Sequence, residues 1–208
     1  MTRVEAKPVL LVHGLWMTPA ATVPLARSLR AHGFDATPFG YGSVRGDPDE
    51  SAAKLVTRLR DGAVQSMVAH SLGGLIALKA LARAPELAAG RLVLLGCPVR
   101  GSRVSMRFAS WPGGGRALGA ARSLLAEPQG LGAGSWQVGQ IAGTRRVGLG
   151  VLAGGATRPS DGSVFVEETC EDFLTDHLAL PVSHFGMLFS RRVAKAAAEF
   201  LDRGRFGG

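Results

Sequence analysis

At 208 residues, 46% of them apolar, the chain suits one domain with a sizeable core, read as a single unit over 1–208. Two cysteines, Cys97 and Cys170, are too few for a disulfide scaffold or a zinc site, and polar residues 1–7 lead into an apolar run too short for a signal peptide or membrane span, so a soluble, cytoplasmic protein is expected. The net charge of +8 is concentrated between residues 98 and 160, where eight arginines (Arg100, Arg103, Arg107, Arg116, Arg122, Arg145, Arg146 and Arg158) accompany one acid, Glu127. Such a stretch suits either an anionic partner surface or a solvated basic face.

In chain order, residues 9–12 (Val-Leu-Leu-Val) are continuously apolar and close on His13-Gly14, the pattern of a strand buried on both faces of a parallel sheet. Thr18-Pro19 predicts an N-cap and a first helical turn, opening a helix that ends near His32-Gly33. A strand is expected over 34–39, a loop over 40–49 and a helix over 49–60. Residues 63–68 are β-prone and run into Ala69-His70-Ser71-Leu72-Gly73-Gly74, after which apolar residues recur at helical spacing as far as Arg83, and Pro85 ends the pattern. Residues 91–96 predict another fully buried strand. Strands alternating with helices in this way imply right-handed crossovers and a three-layer α/β fold, with about six mostly parallel strands between helices on both faces. The reading loosens over 98–143, which is rich in glycine, with short helices expected around 102–109 and 116–126. Residues 100–146 therefore read as a small, loose cap or lid excursion. A strand is expected over 147–152, a turn over 158–162, a last strand over 177–182 and a closing amphipathic helix over 187–201.

Ser71 stands where a strand turns sharply into a helix, with small residues at minus two (Ala69) and plus two (Gly73), as a nucleophile elbow requires. A serine hydroxyl needs an adjacent base to take its proton, and that base is usually a histidine oriented by a carboxylate. His13 and His70 lie inside strand-end motifs and are expected to shape the oxyanion and substrate side; His32 ends a helix and His177 begins a strand. His184 follows the last strand, which in a parallel sheet puts it at the same edge as Ser71 and makes it the candidate base. Asp161, in a Ser-Asp-Gly turn, is the candidate acid. Glu167, Glu168, Asp172 and Asp176 are its rivals, in a stretch that reads as a solvated face. The backbone N–H of Leu72, at a helix N-terminus, is one candidate oxyanion donor. Leu15 is the second, with Trp16 as the alternative, because Gly14 lets this turn pass close to a substrate. His13, Gly14, Trp16, Met17 and His70 are the candidate substrate contacts, and Phe108 and Trp111 extend an apolar rim around a shallow, open site.

His13-Gly14, the Ser71 elbow, Asp161-Gly162 and His184, in that order and over essentially the whole chain, resemble the α/β-hydrolase superfamily, and within it the small bacterial lipases and esterases. Gly96-Cys97-Pro98-Val99-Arg100-Gly101-Ser102 is also similar to the Gly-Thr-Pro-His-Arg-Gly-Ser segment of triacylglycerol lipases, departing at Cys97 and Val99. The elbow departs from the family at Ala69, where glycine is usual. The resemblance implies an α/β-hydrolase fold and cleavage of a carboxylic ester, lipid-like or otherwise small, through an acyl-enzyme on Ser71. It implies neither cofactor nor metal; the charge of the basic region over 100–158 makes an anionic lipid surface a candidate partner beside the solvated-face reading. No nucleic-acid partner is expected, since no basic-aromatic module is present. An acyltransferase or thioesterase would use the same residues, and a hydrolase-fold binding module that has lost its activity is the third reading.

Overall fold

The computed structural model describes residues 6–60, 64–147 and 158–207. Six strands, β1 (Lys7–Val12), β2 (Phe34–Phe39), β3 (Ser66–His70), β4 (Arg91–Leu95), β5 (Gln137–Gly143) and β6 (Asp176–Leu180), form one sheet in the order β2-β1-β3-β4-β5-β6. Every neighbouring pair is parallel. The helices are α1 (Val23–Arg30), α2 (Pro48–Arg60), α3 (Leu72–Arg83), α4 (Arg103–Ala109), α5 (Gly114–Leu118), α6 (Ala121–Ala126) and α7 (Arg191–Arg203).

The continuous apolar run of β1 has a direct cause. Successive strand residues point to opposite faces, and both faces are covered. Val9 and Leu11 join Val68, Val93, Leu95 and Ile141 in a core closed by α1 and α7. Leu10 and Val12 join Met67, Ala69, Leu92 and Leu94 in a second core, beneath α2 and α3. The chain steps outward from β1 to β2 and then returns to β3 on the other side of β1. The turns after β1 and β3 therefore diverge at a topological switch point, where a crevice opens at the carboxyl ends of the strands.

Two expectations change. The helix opened at Thr18-Pro19 begins as a 3-10 turn, Pro19–Thr22, before α1 proper. More importantly, the strand beside β4 is β5 at Gln137–Gly143, inside the stretch read as loose, so only α4–α6 stand apart from the sheet there. Of the strand expected over 147–152, Val147 lies outside any strand, and 148–152 fall outside the described residues. No helix among the described residues is long and apolar enough to cross a membrane.

Candidate active site

At the end of β3 the chain turns through Ser71, whose φ of 53° and ψ of −123° are costly for a side chain with a Cβ. The conformation is held from both sides: the Ser71 N–H donates to the Leu95 carbonyl at 2.9 Å, and the Gly74 N–H donates to the Ser71 carbonyl at 2.9 Å. Small neighbours are required because α3 leaves the elbow pressed against β1. A Cβ on Gly73 would stand 2.3 Å from the His13 carbonyl oxygen. Ala69, by contrast, points its methyl group into the core under α3 and is fully buried, so the departure from glycine there meets no obstruction. Leu72 is the first residue of α3, and its N–H has no carbonyl one turn back to bond.

The turn after β1 faces the elbow. His13 is fully buried, donates from Nδ1 to the Gly14 carbonyl at 3.0 Å and stacks on Tyr41 at 4.5 Å between centroids. The Tyr41 hydroxyl donates to the His13 carbonyl at 2.8 Å, which fixes the backbone of the turn. Burial pushes the His13 pKa below its ordinary value and that of the Tyr41 phenol above, so both rings stay neutral near neutral pH. Gly14 passes so close to the elbow that a Cβ there would lie 2.9 Å from His70 Nδ1 and 3.2 Å from Ser71 Cβ. His13 and Gly14 do not line the cavity beside Ser71; Leu15, Trp16, Met17 and His70 do.

Asp161 and His184 meet at the same edge. His184 Nδ1 lies 2.7 Å from Asp161 Oδ2, with both side chains buried, and the His184 N–H donates to the Asp161 carbonyl at 3.0 Å. The other carboxylate oxygen, Oδ1, accepts the N–H groups of Ser163 and Val164 at 2.8 Å each, so the Ser-Asp-Gly turn is closed by its own side chain. From the opposite side His70 Nε2 donates to the His184 carbonyl at 3.0 Å. His70 itself is held down to about 3 by complete burial and by the neighbouring His184, so it donates as a neutral ring.

Of the rival acids, Glu167, Glu168 and Asp176 are engaged elsewhere, as is the neighbouring Glu171, while among the described residues the Asp172 carboxylate takes part in none of the contacts around His184. Glu168 is buried rather than solvated: Oε1 accepts the Arg103 N–H at 2.9 Å and Arg103 Nε at 3.0 Å, and Oε2 accepts the Phe165 N–H at 2.9 Å. Glu167 pairs with Arg103 and Arg158, and Glu171 with Arg100 at 3.2 Å. Asp176 receives the backbone N–H groups of His177 and Phe206. His177 donates from Nε2 to Thr169 Oγ1 at 2.8 Å, and His32 lies exposed beyond α1. The basic stretch is thus partly neutralised in space. Among the described residues, Arg107, Arg116, Arg122 and Arg145 take part in no ion pair.

Gly96, not assigned a role by sequence reasoning, stands behind the pair. Its φ is +56°, and a Cβ would lie 2.8 Å from Asp161 Oδ2 and 3.0 Å from His184 Nδ1. The available signal was a glycine directly after a buried strand that neighbours the elbow strand.

Ser71 and His184 share the wall of a cavity of about 200 Å³ whose apolar lining includes Leu15, Met17, Val104, Phe108, Leu118 and Leu125. The α4–α6 segment flanks this cavity, supplying Val104, Phe108, Leu118 and Leu125. Trp16, Trp111 and Phe185 are exposed at or beside its mouth.

Superposed on known structures, the chain matches the mature form of a Bacillus licheniformis lipase with a TM-score of 0.73, over 90% of this chain and 89% of that one, at 20% identity. The chain has the α/β-hydrolase fold. Two further structures match at 15% identity. One is the phospholipase PlaB of Legionella pneumophila, with a TM-score of 0.70 over 95% of this chain and 62% of that one. The other is a pyrethroid hydrolase of Sphingobium faniae, with a TM-score of 0.64 over 95% and 98%. In sequence, the chain is 30% identical over 113 residues to the pimeloyl-[acyl-carrier protein] methyl ester esterase of Shewanella woodyi, a match spanning 52% of this chain and 42% of that relative. No protein-family model matches the chain. On this α/β-hydrolase scaffold, Ser71, Asp161 and His184 sit after β3, after β5 and after β6 respectively, all at the carboxyl edge of the sheet.

Proposed function

We propose that the chain is a serine hydrolase of carboxylic esters, working through Ser71, His184 and Asp161. The observation that carries this reading is the buried 2.7 Å contact between His184 Nδ1 and Asp161 Oδ2, on a histidine that shares a cavity wall with the strained Ser71. Asp161 keeps the proton of His184 on Nδ1 and leaves Nε2 as the base. Ser71 Oγ attacks the acyl carbonyl as His184 takes its proton. The oxyanion that forms is met by the N–H groups of Leu72 and Leu15. His184 then returns the proton to the departing alcohol, and a water molecule, activated by the same imidazole, releases the acid from the acyl-enzyme.

The apolar cavity accommodates the acyl group, which favours apolar acyl esters over charged ones. The names of the related lipase, phospholipase and esterase support the same substrate class. The α4–α6 segment is the cap of this site. The aromatic side chains at its mouth and the unpaired Arg107 and Arg116 suit a lipid-like ester presented at an anionic surface.

The test is covalent labelling with a fluorophosphonate probe, read beside hydrolysis of p-nitrophenyl esters. Wild type is expected to label once, at Ser71, and Ser71→Ala to lose both labelling and at least about 10³-fold of its kcat. Hydrolysis by Ser71→Ala at the wild-type rate would overturn the assignment.

A further inference from the structure

The cavity beside Ser71 is bounded unevenly. Leu118 and Leu125 are 1% and 3% exposed and belong to the core beneath α2 and α3, so this part of the wall is backed by packed side chains. Val104 and Phe108, both on α4, are half-buried and line another part. Trp16, 48% exposed, stands at the mouth; with Ser71 it is one of the two non-glycine residues of positive φ among those described, at 58°. Its indole Nε1–H donates to the Ala117 carbonyl of α5 at 2.8 Å, and its ring packs edge-on against Phe108 at 5.6 Å between centroids. The turn after β1 and the α4–α6 segment thus meet at the rim. Among the described residues no Asp, Glu, Lys or Arg lines the cavity. The buried Ser102 hydroxyl is already engaged as the N-cap of α4, accepting the Ser105 N–H at 3.1 Å.

We propose that this cavity measures the acyl chain of the ester, taking acyl groups of about six to eight carbons, with Leu118 and Leu125 as its closed end and Val104 as a specificity-determining side wall. The inference rests on the hydrolase reading above, in which the acyl carbonyl is held at Ser71. An apolar protein cavity of about 150 Å³ holds the six carbons of benzene, or about 25 Å³ for each. At that density a cavity of about 200 Å³ takes about eight carbons, and about six where the space nearest the mouth is left to the departing alcohol. Up to that length each added methylene passes from water to an apolar wall. Beyond it the chain must push into Leu118 and Leu125, which their close packing opposes, or turn back past Trp16 into water, which forfeits the gain.

A series of p-nitrophenyl esters with even-numbered chains, from acetate to dodecanoate, reads the length directly because the alcohol is constant. The expected kcat/KM rises by up to about fourfold per methylene and peaks at hexanoate or octanoate. A peak at any other length, or no peak, overturns the proposal. Leu125→Ala opens the closed end and should move the peak longer by about two carbons. Val104→Phe fills the side wall at a half-buried position and should move it shorter by about two carbons. Circular dichroism checks the fold of each variant, and Val104→Phe carries the test where the core substitution does not fold. A peak that stays at the wild-type length in every folded variant overturns the assignment of these walls. Fluorophosphonate labelling of wild type separates the two readings. No labelling at Ser71 overturns the hydrolase assignment and this inference with it; labelling at Ser71 with the peak elsewhere overturns the chain-length inference alone.

Discussion

Replacing Gly96 with alanine tests the acid–base pair without touching either partner. Gly96 has φ +56°, where an L side chain costs about 1–2 kcal/mol. Its new methyl group would lie 2.8 Å from Asp161 Oδ2 and 3.0 Å from His184 Nδ1, against an ordinary contact of 3.4–4 Å, so the pair must give by about 0.5 Å. Asp161 has little room to retreat. Its Oδ1 is held by two backbone N–H groups, and its Cβ packs on Gly143, where an added Cβ would stand only 2.6 Å away. The displacement therefore falls on the 2.7 Å contact and on the orientation of the imidazole. Misplacement of a catalytic group by about 1 Å costs on the order of 10²-fold, and loss of the correct tautomer about 10⁴-fold. Gly96→Ala is thus expected to lower kcat by about 10²-fold. Tm should fall by roughly 2–8 °C, from the φ penalty at about 2–4 °C per kcal/mol. Steady-state hydrolysis of a p-nitrophenyl ester and thermal unfolding by circular dichroism measure the two effects. A variant that loses the expected Tm yet hydrolyses within threefold of wild type would refute the placement of Gly96 against the reacting pair.

Three further substitutions separate structural from chemical roles. His70 is held down to about 3, so as the pH falls from about 6.5 the unfolded chain takes up a proton that the folded chain refuses. Stability is fully present above pH 6.5 and drains at up to about 1.4 kcal/mol per unit below it. His70→Gln keeps a donor for the His184 carbonyl and removes this titration, so its Tm should fall less steeply than that of wild type between pH 6.5 and 4.5; parallel curves would contradict the burial argument. Glu168→Ala leaves the Phe165 N–H, the Arg103 N–H and Arg103 Nε without their acceptor and should cost about 3 kcal/mol, or roughly 6–12 °C in Tm. Glu167→Ala, at an exposed pair, should stay within about 1 kcal/mol of wild type, and equal losses for the two would show that burial is not the deciding factor.

The parallel sheet was legible where strands are unbroken apolar runs. β1 and β4 announce themselves because both of their faces are covered, and β3 because it ends in the elbow and a helix of clear periodicity. β5 was not legible, for a physical reason. Its sequence, Gln-Val-Gly-Gln-Ile-Ala-Gly, reads as a loop because two glycines and a second glutamine interrupt it. Gly139 is where the Phe200 ring presses on the strand, a Cβ there coming 2.5 Å from the ring, and Gly143 makes room for Asp161 and for the Val182 carbonyl. Both glycines are set by what packs on them, and nothing local records that. The burial of Glu168 was hidden in the same way, since its partner Arg103 lies 65 residues away. Ser71, Asp161 and His184 could be aligned from sequence because a parallel sheet delivers the end of every strand to one edge. The choice of Asp161 among the nearby acids depended on a Ser-Asp-Gly turn, which the structure closes on its own carboxylate.

The two strained residues divide the site unequally. Ser71 is fixed by Leu95 and Gly74, elements of the sheet and of α3 that belong to the most deeply buried part of the molecule. Trp16 is bonded to α5, a single short turn of helix that packs against α4 and α6 and buries Leu118 in the core under α2 and α3. In the proposed reaction, the nucleophile and the Leu72 N–H are therefore permanent features of the scaffold. The α4–α6 segment supplies Phe108, Leu118 and Leu125 to the wall of the apolar cavity. Enclosure of the acyl group thus rests on this segment, whereas the strained nucleophile is held by the sheet and α3 alone.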